Sequence, residues 1–264
     1  MTQKNSKNKN LLSALIVAHN EENNLDDCLA PLVDFCDEIV VILDKCTDNS
    51  KKIAAKYTKN IVEGSWKIEG ERRNVGIANC NGLWILELDA DQRISKALAK
   101  EIITKIKGSE PCHFEAKIQN YIGDKYIKYG WLRIMAVDRQ HKVHFKGLKK
   151  YHEDKMVHPT ADIEGEIKSL QNPVKHFMDK DIGDMISRFN NYTTLKALDA
   201  ISSGKTKVKC GYGFFSFINR FCKAFFIKKG YKEGRLGFII AIFAALYPLV
   251  VCVKIQEKLK DKKN

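Results

Sequence analysis

One stretch constrains this chain more than any other: Leu83-Trp84-Ile85-Leu86-Glu87-Leu88-Asp89-Ala90-Asp91, an apolar run of strand length that ends in two carboxylates one residue apart. A run of this kind is expected to form a buried strand that delivers acid to the carboxyl edge of a sheet. In an open α/β sheet, ligands bind just beyond those strand ends, so Asp89 and Asp91 are placed to meet a cation. Hard oxygen ligands suit Mg²⁺ or Mn²⁺. Magnesium-type sites take one or two carboxylates and complete their shell with phosphate and water, so the pair points to a metal shared with a nucleotide diphosphate. Taken alone, the triplet reads equally well as an Asp-rich turn. The upstream sequence separates the two readings.

Residues 11–18 form a second buried run, followed by the polar turn His19-Asn20-Glu21-Glu22-Asn23 and a helix reaching about Pro31. Residues 38–43 predict another strand, broken by Asp44-Lys45-Cys46-Thr47-Asp48-Asn49-Ser50. A helix over 53–57 follows, with Asp48 or Ser50 as candidate caps. Residues 59–63 read as a short third strand and 69–78 as a helix carrying Glu71, Arg72, Arg73 and Asn74. Strands alternating with helices imply right-handed crossovers and a largely parallel sheet, with Asp44, Asp89 and Asp91 converging on one edge.

Four segments in this order, residues 16–25, 44–50, 72–78 and 82–91, resemble the successive motifs of family 2 glycosyltransferases of GT-A fold. Within that family the chain is most similar to small bacterial glycosyltransferases of lipopolysaccharide core assembly. The resemblance implies an α/β, Rossmann-like nucleotide-diphospho-sugar transferase with a mixed, mostly parallel sheet. It implies inverting transfer of a hexose from a UDP-linked donor to a lipid-linked or lipopolysaccharide-core glycan, with Mg²⁺ or Mn²⁺ as cofactor. Donor-binding roles fall on Ala18, Asn20, Glu21, Asp44, Arg73 and Asp89, and metal ligation on Asp91 with Asp89. One departure is visible: the family's second turn usually begins with an acid where Leu43 stands, and Asp44 follows one residue later. The chemistry agrees with the resemblance, because a nucleotide-sugar needs hydrogen-bond acceptors for its base and ribose, cations for its pyrophosphate, and a carboxylate-held metal for the leaving diphosphate. Singly, Glu21 reads as a helix-start acid and Arg73 as a solvated helix face.

Beyond a helix at 96–107 and the breakers Gly108, Ser109 and Pro111, strands are expected at 112–119 and 133–138. Between them lies an aromatic turn, Tyr126, Tyr129, Gly130 and Trp131, for which packing is the expected role. Tyr151-His152-Glu153-Asp154 matches the His-Glu motif that follows the donor domain in the resembled group. Inverting transfer needs one carboxylate as general base at the acceptor hydroxyl; Glu153 is the expected base and Asp154 the second choice. His176 is a candidate third metal or phosphate ligand, although a lone His is more often a structural hydrogen-bonder.

Charge divides the chain. Of its formal net charge of +13, nearly all belongs to residues 205–264, which carry 14 Lys and Arg against Glu233, Glu257 and Asp261. The lysines are interleaved with Phe214, Phe215, Phe217, Phe221, Phe225 and Phe226, and residues 236–253 are 18 uncharged residues containing Pro248. That composition describes a membrane-associating helical tail on an anionic surface, lying in the plane or shallowly embedded rather than spanning; no nucleic acid partner is expected. The expected organisation is a donor half at 1–110, an acceptor half at 111–180 and the tail at 181–264. No apolar leader precedes residue 11, and the eight scattered cysteines read as reduced thiols, so the expected location is cytoplasmic, peripheral at the inner face of the cytoplasmic membrane. Two rival readings remain: a polyprenyl-phosphate glycosyltransferase, whose acceptor is already an anion and needs no base, and a non-enzymatic basic membrane or RNA-binding module.

Overall fold

An all-apolar strand is stable only where both faces of its sheet are covered, and the seven residues of β1 (Leu12–Ala18) are all buried. The computed structural model describes residues 12–154, 159–204 and 214–261. After β1 come α1 (Leu25–Leu29), β2 (Glu38–Asp44), α2 (Ser50–Ala54), β3 (Ile61–Gly64), α3 (Glu69–Asn79), β4 (Trp84–Asp89), β5 (Gln92–Arg93) and α4 (Lys96–Lys107). There follow β6 (His113–Ile122), β7 (Lys125–Tyr126), β8 (Arg139–Phe145), β9 (Lys149–Tyr151), β10 (Ala161–Ile163), β11 (Ile167–Ser169) and β12 (Val174–Asp179). The chain closes with α5 (Ile182–Ser202), α6 (Phe214–Cys222) and α7 (Arg235–Asp261).

These elements form two compact units that interleave in sequence. The first contains residues 12–117, 139–154 and 159–175, the second 118–138, 176–204 and 214–261. In the first unit the strands lie in the order β3, β2, β1, β4, β8, β6. The first four are parallel, as the alternating pattern requires, and β8 runs antiparallel between β4 and β6. The parallel register sets Ala18 opposite Leu43, Val17 opposite Asp89 and Asp44 opposite Gly64. The turns after β1, β2 and β4 therefore emerge together at one edge. α3 covers one face, with Val75 and Ile77 packed against Leu15, Val17, Val40, Ile42 and Ile85.

The second unit is a helical core in which Met185 of α5 and Ile240, Ala241, Ala244 and Tyr247 of α7 are buried with Ile127, Trp131 and Leu132. Within the aromatic turn Trp131 packs as expected, its Nε1 donating to the Ile127 carbonyl at 2.9 Å, whereas Tyr126 is exposed. α7 is long and apolar enough to cross a membrane, and 39% of its most apolar window is buried within the protein.

Two expectations are corrected. Residues 133–138 are turn, not strand; the strand begins at Arg139. Its sequence, Arg139-Gln140-His141-Lys142-Val143-His144-Phe145, lacks an apolar run because Lys142 and His144 are buried beside polar neighbours, Lys142 Nζ donating to Gln92 Oε1 at 2.5 Å and His144 Nε2 lying 3.0 Å from Glu87 Oε1. Cys252 is disulfide-bonded, so the cysteines are not all reduced thiols; a disulfide depends on side-chain geometry that spacing does not encode. Cys28, Cys36, Cys46, Cys80, Cys112 and Cys222 are free, and Cys210 lies outside the described residues.

Candidate active site at the carboxyl edge of the sheet

The turns after β1 and β2 are joined by side-chain-to-backbone bonds. Thr47 N–H donates to Asn20 Oδ1 at 2.8 Å, Glu21 N–H to Ser50 Oγ at 2.9 Å, and Glu22 N–H to Asp48 Oδ2 at 2.9 Å. His19 Nδ1 lies 2.6 Å from the Asp44 carbonyl, and the Ala18 carbonyl accepts from Cys46 Sγ at 3.6 Å. Asn20 and Lys45 both take left-handed backbone angles, φ 55° and 52°. Asn tolerates that region; Lys does so at a cost, a strain typical of functional turns.

Asp44 is buried, with Oδ1 accepting from Trp66 N–H at 3.0 Å and Oδ2 from Arg72 Nη1 at 2.8 Å. Its position one residue past the family's usual acid thus comes with its own guanidinium. Glu21 accepts from Asn24 Nδ2 at 2.8 Å. Burial pushes its pKa up, and the negative charges of Asp91, Asp89 and Asp48 add to the rise. The acids of the turns after β1, β2 and β4 therefore share one field.

Asp89 is held on both oxygens. Arg73 Nη2 donates to Oδ1 at 2.8 Å and Gln92 Nε2 to Oδ2 at 3.1 Å. Arg73 also grips Glu69 Oε1 through Nε and Nη2, at 3.0 and 2.7 Å. Burial would lower the pKa of the guanidinium, but Asp89 and Glu69 hold it well above its ordinary value. Arg73 is a fixed cation rather than the solvated helix residue its sequence position suggests. Gln92 in turn accepts from the buried Lys142 Nζ at 2.5 Å. Burial pushes that ammonium down to about 8, against the pull of Asp89.

Below this layer sits a group that sequence reasoning missed. Glu87, buried in the middle of β4, accepts from Lys149 Nζ at 2.6 Å and from Tyr151 Oη at 2.7 Å, with His144 Nε2 at 3.0 Å. Burial opposes its charge, yet Lys149, His144 and Arg73 keep its pKa well below the ordinary carboxylate range. A lone acid inside an apolar strand was the available signal, because a buried charge requires partners.

The Tyr151–Asp154 segment is fastened to α3. Asn74 pairs with the Tyr151 backbone in both directions at 2.9 Å and donates to Glu153 Oε1 at 2.9 Å. At Gly70 the helix lies so close that an added Cβ would fall 2.1 Å from the His152 carbonyl oxygen. Glu153 and Asp154 are both exposed. His152 Nε2 is engaged by Asp162 Oδ1 at 2.8 Å. His176 belongs to the second unit, where its Nδ1 is 2.9 Å from Asn120 Oδ1.

Among the described residues, no three or more His, Cys, Asp or Glu side chains gather as a ready metal cage. The donor set that does exist is two hard carboxylates, Asp89 and Asp91, with Asp89 already shared between Arg73 and Gln92. Two hard carboxylates have the chemistry of a divalent site that takes one or two protein oxygens and the rest from a diphosphate.

The comparisons agree with this geometry. The sequence profile described as Glycosyl transferase family 2 matches residues 13–158. The chain belongs to glycosyltransferase family 2. Its similarity to the lipopolysaccharide core biosynthesis glycosyltransferase LpsC of Rhizobium meliloti is 25% identity, covering 96% of this chain and 95% of that protein. An uncharacterized glycosyltransferase of Rickettsia conorii is also 25% identical, covering 96% and 92%. Among solved structures, Staphylococcus aureus TarS 1–349 in complex with UDP-GlcNAc aligns with a TM-score of 0.51 at 16% identity, covering 93% of this chain and 88% of that one. That likeness establishes the GT-A fold of this family 2 glycosyltransferase.

Proposed function

We propose that this glycosyltransferase is an inverting, divalent-metal-dependent enzyme that moves a hexose from a UDP-linked sugar to a lipopolysaccharide-core or other lipid-linked glycan. The observation that carries the reading is that consecutive residues of α3 contact both the Asp89 turn and the Tyr151–Asp154 segment. Arg73 holds Asp89 at the donor edge, and Asn74 holds Glu153 on the acceptor segment. The similarity to LpsC over nearly the whole of both chains supports the acceptor class.

In this scheme Asp44, Asn20, Glu21 and the Ala18 backbone frame the nucleoside, Arg73 faces its diphosphate, and Asp91 with Asp89 holds Mg²⁺ or Mn²⁺. The metal, when bound, stabilises charge on the departing diphosphate. Glu153 takes the proton from the acceptor hydroxyl as that oxygen attacks the anomeric carbon from the face opposite the diphosphate, which inverts the configuration. Asp154 is the alternate base. The buried Glu87, Lys149 and Tyr151 group fixes β4 against β9, so the acids and the base segment keep their spacing.

The basic second unit supports a place at the inner face of the cytoplasmic membrane. Phe215 is 87% exposed and α7 combines length with apolarity. A thermal-shift series with UDP-sugars, with and without Mn²⁺, tests the donor reading, since a ligand that binds the folded state raises its melting temperature by mass action. Stabilisation by a UDP-sugar that needs Mn²⁺ and disappears in Asp91→Asn supports the proposal. Equal stabilisation with a chelator present removes the metal from it.

A further inference from the structure

The second unit contains two adjoining cavities, of about 510 and 330 Å³, that share Trp131, Asp138 and Lys228. Arg133, Arg220, Lys223 and Lys228 line the larger one, four cations against the single carboxylate of Asp138. The smaller adds Lys128 and Lys229. No residue of either cavity belongs to the unit that carries Asp89 and Asp91. Among the described residues, the side chains of Arg133, Lys223 and Lys228 enter no ion pair or hydrogen bond. Like charges held around one hollow raise its potential and favour an anion there.

The backbone beneath these side chains is fixed. Residues Lys223–Ile227 form a π-helical turn, closed by Lys228 N–H donating to the Lys223 carbonyl at 2.8 Å. Such turns are rare and concentrate at functional sites. Gly130 N–H donates to the Lys228 carbonyl at 2.9 Å, and Gly130, at φ +86°, passes so near Gly230 that an added Cβ would lie 3.1 Å from its Cα. Buried Glu233 accepts from the Lys128 and Tyr129 N–H groups at 3.0 and 3.1 Å. The cations thus stand on a pinned frame rather than on a loose tail.

The rim is apolar. Ile134 borders the larger cavity and Ile227 the smaller, 36% and 71% exposed, and neighbouring Phe226 is 57% exposed. A cationic hollow of small-molecule size beside exposed apolar side chains matches an anionic head on an aliphatic chain.

We propose that the cavity formed by Arg133, Arg220, Lys223 and Lys228 binds the phosphate head of a phosphorylated lipid, whose chain lies against Ile227 and Phe226. The binding goes beyond the transferase reading and does not depend on it.

The test is flotation of the full-length protein with phosphatidylcholine vesicles containing phosphatidic acid, compared with vesicles carrying the same charge as phosphatidylserine. Binding should favour the phosphate monoester. The double variant Arg133→Gln/Lys223→Gln should lose at least about tenfold in affinity, whereas Lys258→Gln/Lys260→Gln, which removes equal charge from the end of α7, loses about threefold or less. Wild-type melting temperature checks that each variant is folded. Equal losses in the two variants would mean diffuse charge and overturn the site. Inorganic phosphate that raises the melting temperature of the wild type only, without vesicle binding, would make this a free-phosphate site and overturn the lipid assignment. The measurement uses no donor, so a wild type that ignores every UDP-sugar but floats in a cavity-dependent manner would refute the proposed UDP-sugar donor and leave this inference standing.

Discussion

The two units handle charge in opposite ways. At the sheet edge Arg72, Arg73 and Lys149 are each matched to a carboxylate within 2.8 Å, inside or beside a buried layer. In the helical unit Arg133, Lys223 and Lys228 surround a hollow and meet no carboxylate among the described residues. Paired charges in a low-dielectric layer are preorganised: they hold one geometry and respond little to salt. Unmatched charges around a cavity attract what diffuses past and are weakened by salt. One region is built to position atoms, the other to recruit.

Four substitutions test that contrast at the sheet edge. The largest effect is expected from Asp91→Asn, with turnover falling on the order of 10⁴-fold, the equivalent of several kcal/mol of transition-state stabilisation. Activity and melting temperature measured together check it: a stable variant with wild-type turnover across a Mn²⁺ titration would remove Asp91 from the metal site. Next, Glu153→Gln should lose about 10²–10⁴-fold in transfer while keeping UDP-sugar binding. Weakened donor binding with normal transfer would move Glu153 to the donor side, and normal transfer with normal binding would favour an acceptor that is already an anion.

Glu87→Gln sharpens the claim that paired charges hold the frame. Removing one partner from a buried group leaves Lys149 uncompensated, and a loss of about 3–5 kcal/mol is expected in urea unfolding. A loss below about 1 kcal/mol would place this pair among weak surface bridges and break the comparison.

The smallest effect concerns Lys142, whose folded pKa is about 8 against 10.5 when unperturbed. Between those values the unfolded chain binds more protons than the folded one, so this residue makes stability rise with pH. Below about pH 8 both states hold the proton and the buried ammonium is a constant cost. The difference between wild type and Lys142→Met should therefore change by about 3 kcal/mol across that window. A difference that stays flat from pH 7 to pH 11 would show that Lys142 is not titrating there.

How much of this was legible follows from where charge is hidden. β1, β2 and β4 are apolar runs that end in polar turns, and their order, direction and common edge follow from that pattern. Asp44, Asp89 and Asp91 could be placed for the same reason, whereas Arg73, inside α3, was singled out only by the family resemblance. β8 could not, because Lys142 and His144 sit in its buried face and mimic a surface segment. Glu87 was visible but lacked its partners, which lie 57 or more residues away in sequence, as the 62-residue separation to Lys149 illustrates. The cavity of the second unit was beyond reach: a basic aromatic stretch specifies a kind of surface, whereas a hollow depends on how a π-helical turn meets Gly130.

The contact at Gly70 bears on how such an enzyme can change. With no room for even a methyl group between α3 and the His152 carbonyl, the seam between that helix and the Tyr151–Asp154 segment has no slack. A lineage that drifts toward a new acceptor cannot retilt the Tyr151–Asp154 segment without also disturbing Arg73, three residues along the same helix. Under the proposed scheme, novelty in acceptor choice comes from side chains projecting beyond that seam, and an engineer exchanging the Tyr151–Asp154 segment between relatives would have to carry α3 along as part of the same cassette.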